Sequence, residues 1–439
     1  MVRYIFEQSD EVITTFSGLS AVGQLLDKTS LSKRLNKVIV PDVTFTKISN
    51  SDIAISYIGL LCQGKNDFEY IECYRDDFFF TQSLGIKNVP FSSRLRQRLD
   101  IAAGKWENII LEESAKMIKA VGATITPCYE NLVALDIDVS PFDNSKTKKE
   151  GVSRTYKGFD GYAPIFAYLG QEGYCVNVEL RAGKTHCQNG TVEFLKQSIL
   201  YTKSITDAPI LVRMDAGNDT VENIRVCREE ETRADFIIKR NLRRESPELW
   251  LYTAQQHGKA IQEREGKTVY WGEVKTLYKN LDEPVRIVFK VTEESIREDG
   301  QMMIEPDIKV ETWLTSLSYP PEVIAKLYCD HGTSEQFHSE IKTDMDLERL
   351  PSGKFATNNL ILHLGILAYN ILRVMGQESL RKNDAPVRKK VSRRRIRTVI
   401  QNLITLAAKL VQHGRRYYLR FGRSCAWFYT AKRLYTSFT

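Results

Sequence analysis

Three aspartates stand where a carboxylate is costly to keep. The stretch Leu132-Val133-Ala134-Leu135-Asp136-Ile137-Asp138-Val139 is short, apolar and closed by Ser140-Pro141, which reads as a β-strand. Side chains alternate along a strand, so Asp136 and Asp138 share one face with Leu132 and Ala134. A carboxylate inside such a strand must be paired, hydrogen-bonded or bound to a metal. The run Ile210-Leu211-Val212-Arg213-Met214 repeats the situation, ending in Asp215-Ala216-Gly217, a glycine turn that opens a helix. In α/β sheets, ligand sites gather at the C-terminal ends of such strands. Two strands of this kind could bring two carboxylates to one site. Three carboxylates with water and phosphate oxygens suit Mg2+. Two such ions about 4 Å apart activate an attacking oxygen and stabilise a leaving one. Each aspartate alone also has an ordinary reading, as a helix cap or a salt-bridge partner. Spacing leaves both open.

The elements that must position these residues follow from periodicity. Residues 1–130 read as short helices with polar joints, a helical N-terminal region. Within it, Pro90 precedes a serine-capped helix at Ser92 that carries Arg94, Arg96 and Arg98; these either contact phosphates or form a solvated basic face. An amphipathic helix from about Glu107 to Val121 leads into the core. Residues 131–235 alternate strands and helices: strands at 132–139, 163–169, 174–180 and 210–214, helices at 191–202 and 221–231, and a turn at Gly170-Gln171-Glu172-Gly173. Residues 236–317 read as a β-rich insertion, with strands at 236–238, 268–271 and 285–291. Helices return in 318–380, at 321–327, 333–344 and 356–375. Residues 381–439 form a basic C-terminal region, with a helix expected from Val391 to His413. The fold class is α/β.

A third region carries a resemblance. Tyr328-Cys329-Asp330-His331-Gly332-Thr333-Ser334-Glu335 continues to Lys342 and resembles the Tyr-x2-Arg-x3-Glu-x6-Lys signature of DDE transposases from bacterial insertion sequences. Tyr328, Glu335 and Lys342 are in register, and His331 holds the arginine position. Leu135-Asp136-Ile137-Asp138-Val139-Ser140 looks like the first Asp block of that family, a register that selects Asp138 and leaves Asp136 as an auxiliary. Arg213-Met214-Asp215-Ala216-Gly217 is similar to its second block. Gly158 to Pro164, Leu180 to His186, Arg349-Leu350, Phe355 to Asn358 and Ala368-Tyr369-Asn370 look like landmarks of one branch, the insertion-sequence family numbered thirteen-eighty, with a group 1 DDE domain.

The resemblance implies an RNase H-like core interrupted by the β insertion. In it Asp138, Asp215 and Glu335 are the catalytic and metal-binding residues, around two Mg2+ ions with Mn2+ as a substitute. It implies cut-and-paste transposition: hydrolysis at the transposon ends, then strand transfer by the freed 3′-hydroxyl. The implied partners are double-stranded DNA, as terminal inverted repeats and target, and a second copy of the chain in a homodimeric synaptic complex. Tyr328, His331 and Lys342 become DNA contacts, with Lys342 two helical turns from Glu335. Histidine for arginine at 331 gives up a permanent charge and a bidentate fork.

Composition agrees with a DNA partner. The chain of 439 residues carries a net charge of +7, and residues 381–439 hold 16 Lys and Arg against one acid, Asp384, so the remainder is net acidic. Such segregation points to a polyanion. Arg393, Arg394, Arg395, Arg415 and Arg416 are the expected phosphate contacts, beside Tyr417, Tyr418, Trp427 and Tyr429. An anionic membrane surface and a core-packed helix are the competing readings of this tail. For the whole chain, the competitors are a non-catalytic sequence-specific DNA-binding protein derived from a transposase, and a structure-specific nuclease. Eight scattered cysteines without a Cys-x-x-Cys pair suggest free thiols in a reducing bacterial cytoplasm, near the nucleoid. No membrane partner is expected, since no long uncharged apolar run occurs. His331 and His338, seven apart on one helical face, lack a third ligand nearby for zinc.

Overall fold

The computed structural model describes residues 1–40, 47–387 and 391–439. A mixed sheet of nine strands organises the chain. Its order is Gly258–Arg264, Lys267–Thr276, Val285–Ile296, Met302–Thr315, Asp235–Lys239, Ile210–Met214, Val133–Val139, Ile165–Leu169 and Tyr174–Glu179. Val133–Val139 and Asp235–Lys239 both run parallel to Ile210–Met214 between them, whereas the other neighbours pair antiparallel. The central strands are buried along most of their length, with Asp136 and Arg213 paired among their apolar residues.

The expected turn at 170–173 is present, with Gly170 and Gly173 at φ +71° and +73°. Gly173 is required twice over. A Cβ there would lie 2.3 Å from the Phe337 ring, so its absence lets the helix that carries Glu335 close onto the sheet.

The helix Phe355–Glu378 is long and apolar enough to cross a membrane, yet 94% of its apolar window is buried inside the protein. It packs against the helices Asn50–Leu61, Ser92–Ala102 and Glu107–Ala120 and the strand Tyr174–Glu179. Asn370 fixes that contact: its carbonyl oxygen accepts from the Cys175 N–H at 2.9 Å, and its amide donates to the Cys175 carbonyl at 2.6 Å. Asn358 closes the preceding turn, accepting from the Ser352 N–H at 2.9 Å and donating to its carbonyl at 2.8 Å. Both asparagines are thus part of the packing. One apolar core runs from Leu19 to Phe438, joining the N-terminal helices to the rest. The eight cysteines are free thiols.

Two regions differ from expectation. The strands of 258–315 continue the same sheet, with Trp313 of Met302–Thr315 paired opposite Lys239. The strand Met302–Thr315 escapes sequence reading because its first half is charged and contains Pro306. The helix Pro247–His257 also lies in this stretch, begun by a Ser246 cap with proline in its first turn.

The tail departs further, because no helix spans Val391 to His413. A short helix Ile396–Val399 runs into a π turn ending at Ile404, and the hairpin Ala408–His413 with Arg416–Phe421 follows. Gly414, at φ +60°, opens its two-residue turn, as a tight hairpin demands. The strand Ile13–Thr14 pairs with Lys409 and Ala408, a partner far away in sequence. The helix Phe428–Phe438 closes the chain. Arg388, Lys389 and Lys390 of the basic tail lie outside the described residues.

Candidate active site

Parallel register places the two strand-borne acids together. Ile137 lies opposite Met214, so the next residues, Asp138 and Asp215, leave the paired strands side by side. The helix Ser334–Ser339, with the 3-10 turn before it, then docks across Val133–Val139. His331, Ser334 and His338 fall at i, i+3 and i+7 on its inner face. They meet alternate residues of the strand: His331 Nδ1 lies 3.1 Å from Asp136, and Ser334 Oγ and His338 Nε2 lie 3.3 and 3.1 Å from Asp138 Oδ2. Glu335 follows Ser334 and is exposed at the rim.

Below this rim, Asp136 is 2% exposed and bound by Arg213, whose Nε and Nη2 donate at 2.6 and 2.8 Å. Arg213 also donates to the Leu327 carbonyl at 2.7 Å, tying its strand to the helix Pro321–Cys329 that leads to Glu335. Burial opposes ionisation of Asp136, but the charges of Arg213 and His331 outweigh it and hold the carboxyl below its usual range. Asp136, expected as an auxiliary at the site, is instead part of a buried ion pair. His331 is likewise buried against Asp136 and so does not face DNA.

The electrostatics of the two remaining aspartates differ. Burial works against Asp138, yet its His338 hydrogen bond and the charge of His331 keep it low. Asp215 is held above the usual carboxylate range, first by burial and then by the charge of Asp138. Its Oδ1 accepts from the Asn218 amide at 2.7 Å. Burial also lowers His338, overriding Asp138, so the ring is neutral. An ionised Asp138 only accepts, which puts the ring proton on Nε2; Nδ1 then accepts from the Tyr168 hydroxyl 3.0 Å away. Tyr168, His338 and Asp138 thus form a directed chain.

Tyr156 reports how close the acids are. Its hydroxyl is pushed up to about 12, by burial of that end and then by Asp138, Asp215, Cys187 and Glu335. All three predicted acids therefore act on one phenol. Lys342 is half-buried on the π turn Glu340–Asp344, with Nζ 5.5 Å from the centre of the Phe142 ring. Burial lowers its ammonium against the pull of Glu348, and Lys157 adds to the lowering. Tyr328 is half-buried between the rings of Trp313 and His331, at 6.2 and 5.9 Å.

Of the arginines expected on DNA, Arg94, Arg96, Arg415 and Arg416 are exposed. Arg98 is buried, bonded to the Asn50 side chain and the Ile48 carbonyl. In the Arg393-Arg394-Arg395 run, Arg393 and the exposed Arg395 pair with acids on the turn after Glu335. Arg393 reaches Glu340 at 3.3 Å and Gln336 at 2.8 Å, and Arg395 reaches Asp344 at 2.8 Å. Arg394 is 5% exposed and donates to Ser379 Oγ at 2.6 Å. Sequence reasoning missed Ser334, Tyr168 and Tyr156 and gave His338 no role. The 331-334-338 spacing against the 136-138 alternation was the available signal.

Among the described residues, no three His, Cys, Asp or Glu side chains stand as a ready-made metal cage. Asp138 instead spends Oδ2 on His338 and Ser334. The donor chemistry nonetheless fits a hard divalent cation, because Asp138, Asp215 and Glu335 offer only carboxylate oxygens. Burial and the charge of Asp138 raise Asp215 despite its Asn218 hydrogen bond, a penalty that a cation held there would relieve.

Residues 7–438 match the family model described as transposase DDE domain group 1, and the chain belongs to that family. No curated protein matches it in sequence. Among solved structures it is similar to a piggyBac transposase synaptic complex with hairpin DNA, determined by cryo-EM. The identity is 12% and the TM-score 0.39, over 90% of this chain and 83% of that one.

Proposed function

We propose that this chain is a cut-and-paste DNA transposase of a bacterial insertion sequence, acting in the cytoplasm at the nucleoid as a homodimer. Asp138, Asp215 and Glu335 are its catalytic acids. The observation that carries this reading is the docking of the Glu335 helix on Asp138 through Ser334 and His338, with Asp215 following in register on the parallel strand beside it. The strand arrangement supports an RNase H-like core, with an antiparallel meander 133–139, 165–169, 174–179 and two parallel strands beside it.

The three acids would hold two Mg2+ ions, or Mn2+ in their place. When bound, these supply activation of the attacking oxygen and stabilisation of the leaving one. The chain itself does the rest. His338 and Ser334 orient Asp138, and the Asp136–Arg213 pair with His331 locks the Glu335 helix onto the strand. Lys342 supplies a cation to a DNA phosphate beside Asp138, and the exposed Arg94, Arg96, Arg415 and Arg416 hold duplex phosphates. Water attacks phosphorus at the transposon end and the bond to the 3′ oxygen breaks. The freed 3′-hydroxyl then attacks a target phosphate, a second in-line displacement at the same acids.

The test uses terminal inverted repeats flanking the gene as substrate, with Mg2+. Asp215→Asn should abolish end cleavage and keep end binding in a mobility shift. Cleavage by that variant at the normal rate would remove Asp215 from the site.

A further inference from the structure

The loop between the short strands Ser153–Arg154 and Asp160–Tyr162 reaches over the acidic centre. It is a closed turn. The Thr155 N–H and hydroxyl both donate to the Phe159 carbonyl, at 2.9 and 2.8 Å, and the Gly158 N–H donates to the Thr155 carbonyl at 3.0 Å. Gly158 supplies the φ of +83° that completes it. Tyr156 and Lys157 therefore form a fixed tip, and both are exposed.

Tyr156 is 70% exposed, and its hydroxyl donates to the Val139 carbonyl, one residue beyond Asp138, at 3.4 Å. One end of the side chain is thus tethered beside the acids while the ring stands in solvent. Leaving a large aromatic surface in water forgoes the gain from burying it. Here the uncovered ring also stands at the end of the strand that carries Asp138.

Lys157 is the next residue on the same exposed tip, so a cation adjoins the ring. An exposed aromatic face with a cation next to it, beside acids that process DNA, has the chemistry of a stacking platform for a nucleobase. A base inside a duplex already has both faces covered, so the occupant must be unstacked.

We propose that Tyr156 is a stacking platform for an unstacked nucleotide at the DNA end entering the acidic centre, with Lys157 holding its phosphate. This rests on the DNA-processing reading above. It adds a distinct requirement: the protein discriminates a frayed end from an intact duplex through one exposed ring.

The experiment uses the full chain without divalent cation, so that nothing is cut. The probes are two duplexes: one has a three-nucleotide 3′ overhang carrying 2-aminopurine, and a blunt one carries it at mid-length. The wild type should quench the overhang probe and leave the mid-duplex probe, already dimmed by its stacked neighbours, unchanged. Tyr156→Ala should abolish the quench and weaken overhang binding about tenfold, the scale of one base stack. Its affinity for the blunt duplex and its melting temperature should not change, because the ring is exposed. Tyr156→Phe and Tyr156→Trp should keep the quench.

Quenching by Tyr156→Ala equal to the wild type would overturn the platform, as would an equal loss of affinity for both duplexes. Wild-type binding without overhang quenching overturns the platform and leaves the transposase reading standing. Binding of neither duplex by the wild type overturns both.

Discussion

Replacing Arg213 by methionine should cost this protein about 3–5 kcal/mol, because it strands a charge inside the sheet. Arg213 and Asp136 are 5% and 2% exposed and joined by two short hydrogen bonds. Removing one partner of such a pair leaves an uncompensated buried charge, and about 3–5 kcal/mol is the usual loss. His331 remains on Asp136 and shares the load, which favours the lower end. Unfolding entropy of about 2.1 cal/mol/K per residue, over the whole chain, makes that a fall of about 3–5 °C in Tm. Scanning calorimetry at fixed rate measures it.

The double variant Asp136→Leu with Arg213→Met removes both charges together and should recover most of the loss. Acid provides a second check. Asp136 has a depressed folded pKa, so its contribution is complete above the ordinary carboxylate value, about 3.9. It is lost as pH falls through the lower folded value. The gap between wild type and Arg213→Met should therefore begin to shrink as pH falls through the raised pKa of the stranded Asp136, and close further as the wild-type pair is protonated below the ordinary carboxylate value. A single variant that melts with the wild type would refute this account, as would a double variant no better than the single.

Three further outcomes follow from the site and the tail. Asp215→Asn should raise the metal-free Tm at neutral pH, because an acid with a raised folded pKa destabilises the fold when ionised. The gain should vanish as pH falls through that pKa, and a lower Tm at neutral pH would contradict the assigned burial and repulsion. His338→Ala should cut Mn2+-dependent cleavage by about 10–100-fold and raise the Mn2+ concentration needed, by freeing Asp138 from its orienting partner. Unchanged Mn2+ titration curves would count against that role. Arg415→Ala with Arg416→Ala should lower the slope of log affinity against log salt by about 2 at unchanged Tm. Arg394→Ala should do the reverse, lowering Tm and leaving the slope alone, since that side chain is buried.

What the sequence made legible was local. Apolar alternation ending in aspartate located the strands of Asp138 and Asp215, and the Gly170 to Gly173 turn located the hairpin between them. The partner of Asp138 was not legible, because His338 is oriented by Tyr168, a residue 170 positions away. Asp136 and Asp138 share a face in sequence; only the register against Arg213 separates a buried ion pair from an open carboxylate. The arginines of 393–395 show the same limit. Their charge announces a need for anions, yet Glu340 and Asp344 meet that need from another element. The hairpin after Ile404 was missed because the strand that caps it lies at the opposite end of the chain.

The continuity of the nine-stranded sheet has a consequence for any attempt to shorten this protein. The strands of 258–315 resemble a detachable appendage, but cutting them out would strip the outer edge of Asp235–Lys239 of its pairing with Met302–Thr315. A bare edge of hydrogen-bonding groups invites other chains to add on. Trp313, packed with Ile237 and Leu211 beneath the helix that precedes Glu335, would leave a hole in the same stroke. A trimmed version should aggregate before it fails at chemistry, so the smallest unit worth purifying keeps the whole sheet.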